Sequence, residues 1–110
     1  MKPPIVCLCG STRFKDTWIA YTQRLEMAGI VVLGVSHYTQ AEGKELSDED
    51  KTNLDELHMR KIDVSDFVLV LNVNGYIGWS TGNEIDHAIC IGKPVFYISP
   101  LSPILLSSKE

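Results

Sequence analysis

Four short apolar runs, Ile5–Cys9, Ile30–Val35, Phe67–Leu71 and Val95–Ile98, constrain the fold more than any other feature of this chain. Each is too short for a buried helix and ends at or near glycine, proline or asparagine, so each reads as a strand buried on both faces. The segments between them carry helical periodicity. Phe14, Trp18, Tyr21, Leu25 and Ala28 recur at spacings of three and four, with Ser11 or Thr12 available to cap the start and Gly29 to end the helix. Ser47-Asp-Glu-Asp50 matches a capping box ahead of a second helix, whose apolar side would be Leu54, Leu57, Met59 and Ile62. Ile85, Ala88, Ile89 and Ile91 mark a third, closed by Gly92-Lys-Pro94.

Strands that alternate with helices through short connections need right-handed crossovers, and a parallel sheet needs cover on both faces. The expected fold is therefore α/β, a small Rossmann-like (flavodoxin-like) parallel sheet of four to five strands with helices on both faces. A chain of 110 residues with 45% hydrophobic content has material for one core, which predicts a single domain over 1–110. The tail Ser99–Glu110 reads equally as an edge strand, an oligomer contact or a disordered end.

A net charge of −4 argues against a nucleic-acid polymer as partner, because backbone phosphates require a clustered positive face. No stretch approaches the ~20 apolar residues of a membrane span, so neither a membrane nor a secretory route is expected, and the predicted location is cytoplasmic. Cys7, Cys9 and Cys90 are odd in number and sit within apolar runs, which predicts buried, reduced thiols. Cys7-x-Cys9 matches no zinc spacing, and strand side chains alternate between opposite faces, so no metal site is expected.

With strand order 2-1-3-4, the switch point falls between the first and third strands, where ligands of open parallel sheets bind beyond the carboxyl ends. Two unusual loops meet there. In the first, Gly10 permits a tight turn while Ser11, Thr12 and Arg13 offer hydroxyls, amides and a guanidinium at a helix start; this suits a small-molecule phosphate as well as it suits an ordinary cap. The second runs from Asn72 to Gly82, with Tyr76 and Trp79 either clamping a nucleobase or packing on the rim. The polar stretch Ser36–Leu46 is long enough to be a lid, and His37 and Tyr38 could close the same pocket. Lys61 is either a second phosphate contact or an exposed helix lysine.

Glu84 has two readings. Thr81-x-x-Glu84 fits a capping box, in which the carboxylate bonds back to the Thr81 amide. The other is a nucleophile that the positive field of the first helical turn keeps ionised. His58 is likewise either a substrate contact or proton donor, or a structural residue at the edge of an apolar face.

The order Ile62-Asp-Val-Ser-Asp66, the strand Phe67 to Asn72, the loop Asn74-Gly75 to Gly82, Glu84-Ile85 with Ala88, and Gly92-Lys-Pro-Val95 resembles the nucleoside 2-deoxyribosyltransferases and the related 2'-deoxynucleoside 5'-monophosphate N-hydrolases. The glycine-serine turn after the first strand resembles that family's nucleotide-binding loop. The resemblance implies that Glu84 is the nucleophile attacking C1' of a deoxyribose, with Gly10, Ser11, Thr12, Arg13, Asn72, Tyr76, Gly78 and Trp79 around the substrate and His58 as second catalytic group. It implies no metal or organic cofactor, a small nucleoside or nucleotide as ligand, and a homodimer or higher homo-oligomer. Two departures stand out: His58 falls where the family carries a substrate-positioning aspartate, and Gly78 where the transferases carry a loop carboxylate. The expected function is N-glycosidic cleavage or transfer; the alternative is a nucleotide-binding or sensor module without catalysis.

Overall fold

The computed structural model describes residues 2–43 and 45–101, so most of the C-terminal tail, 102–110, lies outside the described residues. Its elements follow in the order β1 (Ile5–Cys9), α1 (Lys15–Met27), β2 (Val31–Leu33), the four-residue α2 (Thr39–Glu42), α3 (Asp48–Val64), β3 (Phe67–Val70), a 3-10 turn at Val73–Gly75, α4 (Trp79–Cys90) and β4 (Val95–Tyr97). The four strands form one sheet in the order β2-β1-β3-β4 and every pairing is parallel, as the alternation of apolar runs and helices requires.

Strand alternation divides the core between the two faces of the sheet. Val6 and Leu8 of β1 pack with Trp18 of α1 and Leu71 on one face. Cys7, Cys9, Val68 and Val70 meet Ile62 of α3 with Ile85 and Ala88 of α4 on the other. The helices therefore cover both faces, and among the strands only β1 and β3 hold fully buried residues. The edge strands are shorter and wetter than their apolar runs suggest: Val31 of β2 and Phe96 of β4 are exposed, because a sheet of this order has no neighbour beyond them.

Several local expectations are corrected. Ser11 and Thr12 do not cap α1; Phe14 stands at its N-cap without a side-chain bond, and the Ser11 hydroxyl instead accepts from the Arg13 amide at 3.3 Å. Ser47 does cap α3, accepting from the Asp50 amide at 3.1 Å. Within α3 the buried residues are His58 and Ile62; Ile62 and Met59 of the expected apolar side meet the core, while Leu57 is exposed and His58 is buried beside it in sequence. Ile89 and Ile91 are exposed and only Ile85 and Ala88 of the apolar set of α4 are buried. Cys90 is exposed too, because it lies on the outer side of α4; Cys7 and Cys9 are buried as expected. Gly29 and Gly92 end α1 and α4 at φ +85° and +80°, the left-handed conformation that favours glycine.

Candidate active site

At the carboxyl ends of β1 and β3 the structure opens a cavity of about 410 Å³, within the size range of small-molecule sites. Gly10, Ser11 and Thr12 form one wall, immediately after β1. Gly10 is needed there for closeness, since a Cβ at this position would stand 3.1 Å from the Leu71 Cβ and 3.2 Å from its carbonyl. Ser36, His37 and Leu46 form the lid side, and Tyr76, Gly78 and Trp79 the opposite rim, with Trp79 largely exposed.

The remaining wall was not legible as a whole. Lys51, Asp55, His58 and Lys61 all line the cavity, joined by Leu54 and Leu57. Spacings of four, three and three put the four polar residues on one face of α3, a stripe that the sequence displays but that reads as a solvated side until the helix is docked. Asp55 accepts from Lys51 Nζ at 3.0 Å, and Lys61 Nζ donates to the Gly34 carbonyl at 2.7 Å, tying α3 to the end of β2.

Glu84 is the decisive correction. Gly78 is the N-cap of α4 and Trp79 its first residue, so Thr81 lies inside the first turn and Glu84 in the second. The Thr81-x-x-Glu84 capping box is not formed. Nor does the helix start hold the carboxylate ionised: burial pushes Glu84 up to about 7, against the opposing pull of the His58 charge and a Cys9 hydrogen bond. Its side chain is 12% exposed, and that opening is onto the cavity.

His58 reaches beneath it. Its Nε2 lies 3.9 Å from Glu84 Oε1, 3.0 Å from the Leu8 carbonyl and 3.6 Å from each of Cys7 Sγ and Cys9 Sγ. The short contact to a carbonyl assigns the proton to Nε2, while Nδ1 is buried with no partner among the described residues. Burial depresses the imidazole, but the Cys7 hydrogen bond and the Glu84 charge outweigh it, and His58 sits above its ordinary value. Cys7 is lowered to about 6, chiefly by a hydrogen bond from Cys9 and against the cost of burial; the same bond and burial push Cys9 well above the usual thiol range.

Two expected site residues are elsewhere. Asn72 is fully buried and spends its amide on the chain after β4, accepting from the Ile98 and Ser99 amides and donating to the Ser99 carbonyl. Arg13 is not part of the cavity wall: its guanidinium lies 4.7 Å above the Tyr76 ring and its Nε donates to Ser11 Oγ at 3.1 Å. Tyr76 is braced on its other side by Phe14, edge to face at 6.0 Å. Tyr38 packs on Trp18 rather than in the cavity.

No protein-family model matches this chain, and no curated protein matches it. Among the described residues, no helix is long and apolar enough to cross a membrane.

Proposed function

We propose that this chain cleaves or transfers the N-glycosidic bond of a deoxynucleoside or its 5'-monophosphate, with Glu84 as nucleophile. The observation that carries this reading is a glutamate with no capping role, largely desolvated, opening onto the cavity at the sheet's switch point. Ionised Glu84 attacks C1', the C1'–N bond breaks, and its electron pair leaves with the base, which takes a proton. Water or a second base then displaces the carboxylate, the two-step logic of retaining glycosidases.

His58 stands too close to Glu84 to face it across a sugar: retaining enzymes hold their two carboxyl groups about 5–5.5 Å apart with the bond between them. At 3.9 Å and beneath the carboxylate, His58 acts on Glu84, favouring its charged form, and is a positioning residue. Asp55, paired with Lys51, is the other carboxylate on the wall. Exposed Phe96, Ile89 and Ile91 support a homo-oligomer, which light scattering in solution checks.

The second reading, a nucleotide-binding module without turnover, draws on His58 and Gly78 standing where the resembled family carries carboxylates. A panel of deoxynucleosides and 5'-monophosphates, followed for free base, decides. Base release that Glu84→Gln abolishes supports the enzyme; saturable binding with no base released supports the module and ends the proposal.

A further inference from the structure

Beside the cavity lie two buried thiols, Cys7 and Cys9, that the glycosidic chemistry does not use. Being two residues apart on β1, Cys7 and Cys9 share a face, and the crossover to β3 lays α3 over that face so that His58 meets both sulfurs. The two thiols thus share a face rather than alternating, and the imidazole that meets them comes from a residue about fifty positions away, which no local pattern contains. The two Sγ atoms and a ring nitrogen of His58 all lie within 4.8 Å of one another.

These separations have a specific meaning. Bonds of about 2.3 Å to sulfur and about 2.0 Å to nitrogen, at a tetrahedral angle, put adjacent S and N ligands roughly 3.5 Å apart. Both Sγ–Nε2 distances are 3.6 Å. Glu84 Oε1 stands 3.9 Å from the same nitrogen, on the cavity side, where a fourth ligand would approach. Buried thiol and imidazole donors select soft or borderline cations over magnesium or calcium, which take oxygen.

We propose that Cys7, Cys9 and His58 bind a thiophilic divalent cation, zinc above all, with its fourth position open toward the cavity. The cation enters through the cavity, since Cys7 and Cys9 are fully buried and only His58 and Glu84 reach its wall. On binding, both thiols lose their protons to solvent, and the His58 proton moves from Nε2 to Nδ1, which frees Nε2 from the Leu8 carbonyl to ligate. Nδ1 has no acceptor among the described residues, so the imidazole lacks the outer hydrogen bond that usually orients such a ligand. The affinity is therefore about 10- to 100-fold below that of a site that has one. The binding site does not rest on the proposed function.

The test is a titration of Co²⁺ into the reduced full chain, read by absorption. The expected result is one equivalent bound, with thiolate-to-cobalt charge-transfer bands and tetrahedral d–d bands, both displaced by Zn²⁺. Cys90→Ser should leave the spectrum unchanged, while Cys7→Ser and Cys9→Ser each remove about half of the charge-transfer intensity and weaken binding at least tenfold. Circular dichroism of the metal-free variants checks their fold. Should either serine variant not fold, the wild-type spectrum decides, because charge-transfer bands report bound thiolate directly and the Cys90→Ser comparison excludes the exposed thiol. Absence of charge-transfer bands in the wild type, or their loss in Cys90→Ser, overturns the proposal whatever the outcome of any assay for base release.

Discussion

His58 Nε2 lies between two negative poles, 3.0 Å from the Leu8 carbonyl oxygen and 3.9 Å from Glu84 Oε1. The imidazole is tied to that carbonyl and acts on the carboxylate through charge rather than a hydrogen bond, and both groups line the cavity. The chemistry assigned to Glu84 depends on this arrangement, because a carboxylate raised to about 7 is only partly ionised near neutral pH.

Base release should therefore rise with pH as Glu84 ionises through about 7. Initial rates at saturating substrate between pH 5.5 and 8.5, in steps of about half a unit, give the midpoint. A flat profile across that range would remove Glu84 as the ionising nucleophile.

Glu84→Gln should fold, bind ligand and lose base release by roughly three orders of magnitude or more. Steady-state rates with binding measured in parallel check it. Turnover at the wild-type rate would return Glu84 to a structural role.

The same substitution should alter the pH dependence of stability. A carboxyl raised from 4.5 to about 7 on folding favours the folded state fully below 4.5 and loses that contribution as pH rises to 7. The loss is on the order of 3 kcal/mol. His58, also raised, acts in the same direction. Urea denaturation at pH 4.5 and pH 8 should show wild type losing stability relative to Glu84→Gln as pH increases.

His58→Gln removes the positive neighbour that lowers Glu84, so the rising limb of the rate profile should move to higher pH. The variant should consequently lose more activity at pH 6.5 than at pH 8.5. An equal loss at both would mean that His58 serves packing alone.

Arg13→Ala should weaken nucleosides and 5'-monophosphates alike, to within about twofold, because Arg13 braces Tyr76 outside the wall. Lys61→Ala should instead weaken monophosphates selectively, by about 1.5–3 kcal/mol for a charged hydrogen bond. Calorimetric titration of both ligand types separates the two. Asn72→Ala, which strands the Ser99 amide while Ile98 keeps the Val70 carbonyl, should cost about 1–3 kcal/mol in urea denaturation while leaving the wall residues in place.

What could be read from the sequence is what depends on near neighbours. Apolar runs and three-to-four spacing define strands and helices locally, and the handedness of crossovers then limits how such elements can assemble, so the parallel sheet followed, while its order, β2-β1-β3-β4, agrees with the one assumed for placing the switch point. Gly10, Ser11, Thr12, Tyr76, Gly78 and Trp79 line the cavity from the loops and element starts that this pattern marks, whereas His58 and Glu84 lie inside α3 and α4 and were singled out with the help of the resemblance.

Tertiary structure decided the rest, wherever an outcome turned on rotation of an element about its own axis. The docking of α3 took His58 rather than Leu57 into the interior and aligned Lys51, Asp55 and Lys61 along the cavity. One turn in the start of α4 removed Glu84 from the cap and buried it beside the imidazole. Local propensity fixes the period of a helix but not its phase against a sheet; that is set by side-chain volumes on both surfaces at once, and those surfaces come from segments far apart in the chain.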